Sequence, residues 1–273
     1  MRPTCVLGIL CILFSDASAQ TKEKEGKSKS KEPTVKIEPR ADELLKKMSQ
    51  HIAAMQKMTF HVEAARELVT EDGLKIQFHN SSDVAMQRPD KLRAEFKLGE
   101  AEAMFLYDGK NYTVHRKGGT YFAQAPAPAT VDEALDVARE KLEIDAPTAD
   151  LLFTDPYKVL TEAVQDGAYL GTDNIDGTAC HHLIFRQDNV DWQIWVQDGD
   201  KPVPCKLVIT SKKMKGEPQF EARFSKWDGA PNLTADTFVF KPPEGSIQVS
   251  FMEVKSAKTK STAKAKGDKG DVR

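Results

Sequence analysis

Residues 39–65, PRADELLKKMSQHIAAMQKMTFHVEAA, carry two periodicities in succession. Leu44, Leu45, Met48, Ile52, Met55 and Met58 recur at three- and four-residue spacing with charge on the opposite side, which predicts an amphipathic helix over 39–58. The period then drops to two: Phe60, Val62 and Ala64 alternate with His61, Glu63 and Ala65, and a strand begins. Similar alternation returns at Ile76/Phe78, Val84/Met86, Leu92/Ala94/Phe96/Leu98, Met104/Leu106 and Tyr112/Val114. Between these lie the turn signals Glu71-Asp72-Gly73, Arg88-Pro89-Asp90, Asp108-Gly109-Lys110 and Gly118-Gly119. Strands joined by short turns make an antiparallel meander.

One interruption follows. After the loop APAPAT, residues 131–144 read as a helix capped by Thr130, with Asp132 and Glu133 where negative charge suits the helix dipole. Shorter helices are expected at 148–153 and 155–164, the second opened by Asp155 and Pro156. Strands resume at 168–172, 178–186, 190–197, 203–211, 219–227, 237–241 and 246–254. The expected fold class is α+β: a single domain of about a dozen strands in a curved antiparallel sheet with helices on one face.

Outward from this body, residues 1–19 read as a signal peptide. They offer Arg2, an apolar stretch from Val6 to Phe14, and Ala17-Ser18-Ala19 as the cleavage signal, which places the mature chain in an exported compartment. No stretch reaches the roughly 18 apolar residues of a spanning helix. Residues 20–36 carry net +3 and residues 255–273 net +5, both Lys-rich and without aromatics, so both are expected to be disordered. With the whole chain at −2 and the leader neutral, residues 37–254 hold −10. An acidic body argues against nucleic-acid binding, while the basic tails could touch an anionic envelope surface.

Chemical motifs are missing. The sequence has no phosphate loop, no GxSxG, no HExxH, no CxxC and no calcium loop, so neither enzymatic activity nor a cofactor or metal is expected. His181 and His182 are adjacent on a strand and point to opposite faces, which defeats a metal clamp. Asp191, between Val190 and Trp192, is the most unusual carboxylate position. Taking one parity along the strands instead gathers an apolar face: Phe60, Val62, Phe78, Met86, Leu92, Phe96, Met104, Leu106, Trp192, Ile194, Ile209, Phe220 and Phe224. Covering helices could fill this face completely. Alternatively a cavity lined by adaptable Met and Phe side chains could accept an acyl chain or another amphiphile.

With the leader removed, two cysteines are left, Cys180 and Cys205, at the same end of the first and third strands of a local meander. Two strand spacings amount to about 9.6 Å, beyond the roughly 7 Å reach of a disulfide, so pairing requires the middle strand to have ended, as the turn Asp198–Pro202 allows. Two unpaired strand cysteines are the alternative.

The order of elements and three segments carry a family resemblance: CHHLIFRQDNVDWQIWVQDGDKPVPCKLVIT (180–210), PQFEARFSKWDGAPNL (218–233) and DTFVFKPPEGS (236–246). Over residues 38–254 the chain resembles a family of predicted periplasmic proteins of unknown function, itself similar to the LolA/LolB-type lipoprotein-carrier superfamily. That resemblance implies a half-barrel of about eleven antiparallel strands, helices covering its concave face, and an apolar cavity. It also implies periplasmic localisation and a lipid or lipoprotein acyl chain as partner. The competing expectation is a non-catalytic structural or sensory envelope module with a filled core.

Overall fold

A computed structural model of the protein describes residues 36–141 and 146–251. The expected signal peptide, the basic tail and all but the last residue of the basic linker lie outside them. That last residue, Lys36, is not disordered as the composition of its segment predicts, and pairs with Asp166.

The chain opens with β1 (Lys36–Ile37) and α1 (Pro39–Ala54), then runs through β2 (Lys57–Val69), β3 (Lys75–Gln87), β4 (Lys91–Leu98), β5 (Ala101–Tyr107), β6 (Asn111–Arg116) and β7 (Tyr121–Pro126). A helical segment follows: α2 (Val131–Lys141), a 3-10 turn (Pro147–Leu152) and α3 (Pro156–Thr161). Then come β8 (Asp166–Ile175), β9 (Thr178–Arg186), β10 (Val190–Gln197), β11 (Pro204–Ser211) and β12 (Gln219–Asp228), a second 3-10 turn (Ala235–Phe238) and β13 (Ile247–Val249). The described strands form one open sheet in the order β1-β8-β9-β10-β11-β12-β2-β3-β4-β5-β6-β7-β13, antiparallel except where β1 joins β8 and β13 joins β7. Twisted sheets of this width curl rather than stay flat, as a half-barrel requires.

Connectivity explains where the helices lie. The segment from β7 to β8 joins strands near opposite edges of the sheet, so it must cross a face. It crosses the side carrying Phe60 and Trp192, and α1 covers the same side over β8, β9 and β10. Specific bonds tie this layer down. Tyr112 donates its hydroxyl hydrogen to the Ala134 carbonyl of α2 at 2.6 Å, and the Arg88 guanidinium donates to the carbonyls of Leu152 and Phe153, both at 3.0 Å. The Asp155 side chain caps α3 by accepting from Lys158 N, and Thr130 accepts from Glu133 N at the start of α2.

β1 and β7 are strands beyond those expected, β7 taking the first two residues of the loop APAPAT, and several element ends shift by a few residues. Two further assignments are overturned. The first helix stops at Ala54, because Met55 turns extended (φ −71°, ψ 111°), and Met58 belongs to β2. Met58 fits both periods, four residues behind Ala54 on a helix or two ahead of Phe60 on a strand, and burial under the helices selects the strand. Residues 237–241, expected to be a strand, are not one. Thr234 and Thr237 cap each other's backbone, Arg93 donates to the Thr237 carbonyl, and Phe240 packs against His115 and Phe122 on the side of the sheet away from the helices. The expected helix end at 142–144 and strand end at 252–254 lie outside the described residues.

Candidate ligand-binding face

Because directly paired residues share a face, the register sorts the thirteen apolar positions. Seven lie in the core between sheet and helices. They are Phe60, Val62, Met86, Leu92, Trp192, Ile194 and Phe224, each buried, packed with Leu45, Met48 and Ile52 of α1. Aromatic pairs bind this region laterally: Phe185 stacks on Trp192 with centroids 4.2 Å apart, and Phe60 on Trp227 at 4.3 Å.

Four more, Ile209, Phe220, Phe78 and Phe96, occupy the same face and are less buried. Ile209 pairs with Phe220, Phe220 with Arg66, and Arg66 with Phe78, so three of these positions and Arg66 form one row across β11, β12, β2 and β3. Three strand spacings make that row about 14 Å long. Ile209 and Phe220 are half-buried and Phe78 at the outer end of the row is 42% exposed, whereas Phe96 stands apart from the row, opposite Ser82 and level with Val62 and Phe224. Ala64 and Ala222, one step toward the core, carry the smallest side chains on this stretch and leave the large rings standing above them. Arg66 lies over the Phe220 ring, 5.7 Å from its centroid, and puts a cation within the apolar row.

Met104 and Leu106 belong elsewhere. Leu92 pairs with Tyr107 and Ala94 with Phe105, which turns Phe105 and Tyr107 toward the helices and Met104 and Leu106 to the opposite face. The run Met104-Phe105-Leu106-Tyr107 is apolar in both parities, so alternation alone cannot tell them apart. Arg66 and Phe105 are absent from the sequence-derived set, although Arg66 continues the alternation of Phe60, Val62 and Ala64 and is legible there.

The opposite face is polar at its centre. An open groove of about 330 Å³ there is lined by Phe60, Val84 and Ala85 as well as by Thr59, His61, Asp83, Arg93, Glu95, Lys226 and Thr237. His61 is held between Asp83 (2.7 Å) and Glu63 (2.9 Å). The bond to Glu63 is the largest influence raising its pKa above the ordinary imidazole value, Asp83 adds to it, and partial burial opposes both. Asp83 and Glu95 are cross-strand neighbours of like charge, a repulsion offset by His61 on one side and by the Arg93–Glu95 ion pair on the other. Among the described residues no group of three or more His, Cys, Asp or Glu side chains gathers to hold a metal ion. His181 and His182 do point to opposite faces: His181 bonds Asp198, and His182 stacks on Trp195. Asp191 pairs with Lys212 at 2.8 Å.

Cys180 and Cys205 are joined, with Cα atoms 7.0 Å apart. Trp195 faces Lys206 while Val196 faces Pro204, so Cys205 is the extra residue of a bulge, and Cys180 faces Gln197, the last residue of β10. The bulge and the strand end together bring β9 and β11 within reach of each other. The bond lies in a small cluster with Trp195 and Val208, apart from the main core.

A search of curated proteins finds no match. Among solved structures, an uncharacterised conserved protein from Thermus thermophilus is similar at 13% identity and TM-score 0.47, covering 77% of this chain and 99% of its own. LprF from Mycobacterium bovis is similar at 16% identity and TM-score 0.46, covering 75% and 98%. The Mycobacterium tuberculosis lipoprotein LppX is similar at 13% identity and TM-score 0.44, covering 72% and 99%. A family model described as "Predicted periplasmic protein (DUF2092)" matches residues 41–252.

Proposed function

The chain belongs to that family of predicted periplasmic proteins, and from this premise we propose that it is a binding or carrier protein that holds an acyl chain or another amphiphile on the helix-facing side of its sheet. The observation that carries the reading is the row Ile209–Phe220–Arg66–Phe78, largely apolar, continuous with the packed core and only partly covered, with Phe78 exposed at its outer end. Large apolar surface left open at one place on a globular fold marks a binding site more often than chance. The aliphatic part of a ligand would lie over Ile209, Phe220 and Phe78. Nothing in this chemistry requires a catalytic group, and the reading is non-enzymatic.

The second reading, a structural or sensory envelope module, draws support from the closed packing of Met48, Ile52, Met58, Met86 and Ile194, all fully buried. Native mass spectrometry of protein purified without detergent separates the two, since a carrier retains lipid and the module is empty. Substitution then locates the site. Each methylene buried contributes about 0.8 kcal/mol, so removing the contact of two methylenes weakens binding of a fluorescent fatty acid about tenfold. Phe220→Glu should do so, and Met104→Glu, on the other face, should leave affinity unchanged. Equal loss in both variants, or no binding by the unmodified protein, overturns the proposal.

A further inference from the structure

The β2–β3 hairpin is longer than its neighbours. β4 pairs with β3 only over Ser81–Gln87, so along Lys75–Asn80 the outer edge of β3 has no strand beside it among the described residues. Lys75 to His79 are all exposed, and Leu74, Ile76 and Phe78 present 59%, 37% and 42% of their surface. Ordinary protections of an edge are missing: the segment KIQFHN has no proline, no bulge in its pairing with β2 and a single lysine, which is already paired with Glu67 inside the hairpin. Such an edge offers two things at once, unpaired backbone groups and an apolar stripe on one side.

A lipid surface would satisfy the side chains and leave the backbone groups without partners in an apolar medium, which is costly. A strand satisfies both. We propose that the occupant is the same edge of a second copy of this chain, joined antiparallel about a two-fold axis through Gln77. That register sets Ile76 of each copy opposite Phe78 of the other, on the helix-facing side, and Lys75 opposite His79 on the other side. It repeats two apolar contacts by symmetry and brings no two carboxylates or two permanent cations together. The inference stands independently of the carrier reading. If both hold, the exposed rows of the two copies become one surface across the dimer axis.

Sedimentation velocity of the full mature chain, from micromolar to near-millimolar, is expected to show a reversible monomer–dimer equilibrium. Ile76→Lys alters an exposed side chain twice per dimer and should raise the dissociation constant at least about tenfold, while leaving unchanged the melting temperature measured at concentrations where the unmodified protein is monomeric. Gln77→Cys gives an independent readout: paired residues sit about 5 Å apart, so mild oxidation should link two copies, whereas Ser81→Cys, about 27 Å from its symmetry mate, should not. A monomer at every concentration with no Gln77→Cys cross-link overturns the proposal. So does a dimer indifferent to Ile76→Lys, or a monomer that floats with phosphatidylcholine vesicles only while Ile76 is intact.

Discussion

Reducing the Cys180–Cys205 bond is a perturbation whose size follows from where the fold puts it. The two residues are 25 apart in sequence, and closing a loop of that size in the unfolded chain removes about 3 kcal/mol of conformational freedom. Little on the native side opposes this, because both cysteines sit in the cluster with Trp195 and Val208, which the strands hold in register with or without the bond. For a folded body of this length, each kcal/mol moves the melting temperature by about 2 to 4 °C, so protein refolded with reductant should melt about 6 to 12 °C lower than oxidised protein. Reduction keeps both cysteine side chains and changes no other residue, which makes calorimetry of the two forms cleaner than cysteine replacement. Far-ultraviolet circular dichroism should be unchanged at 25 °C, since the bond links strands already paired through β10. A shift under about 2 °C would show that the unfolded chain is constrained by something other than this bond. Labelling of both thiols in denaturant without reductant would show that the bond does not form.

Two further outcomes follow from individual side chains. His61 has a raised pKa, so its contribution to stability is present in full below its unfolded value of 6.5 and is lost as pH rises through the folded value; melting temperature should decline over that range in the unmodified protein and more weakly in His61→Gln, with the ring titration followed by NMR. Tyr112→Phe deletes the buried bond to the Ala134 carbonyl and should cost about 1 to 2 kcal/mol in urea denaturation, while the unmodified hydroxyl, kept protonated chiefly by burial, should resist ionisation in an alkaline absorbance titration.

Most of the architecture is written locally. Strands β9 and β10 fall where alternation and the flanking turns put them, and Asp155-Pro156 and Thr130 open their helices as capping chemistry requires. What alternation cannot supply is any choice made by a distant partner. Met58 satisfies two periods, and only the helix layer above it decides between them. The 237–241 segment alternates like a strand. Yet β7 already accepts β13 on its open edge, while Phe238 is buried and Phe240, half-buried, packs against His115 and Phe122. Strand order is equally non-local: β12 returns to β2 across more than 150 residues, a pairing no local window contains.

The candidate face is legible as a set of residues and illegible as a surface, for the same reason. A period of two divides each strand into two faces but does not say which parity in one strand matches which in the next, and a shift of one residue exchanges them. In β2, β10 and β12 the polar alternates His61, Gln193 and Arg223 mark the outer side, so Phe60, Trp192 and Phe224 can be assigned correctly. In β5 no polar residue breaks the run from Ala103 to Tyr107, and the assignment of Met104 and Leu106 inverts. The distinction that matters for function lies one level higher still. Phe224 and Phe220 share a strand, a face and a residue type, yet one is buried and the other half-buried, because Phe224 lies against Phe60 and Trp227 while the ring of Phe220 has Arg66 over it. A candidate face of this kind is set by what packs beside and over each residue, which depends on partners distant in sequence rather than on any residue in the face itself.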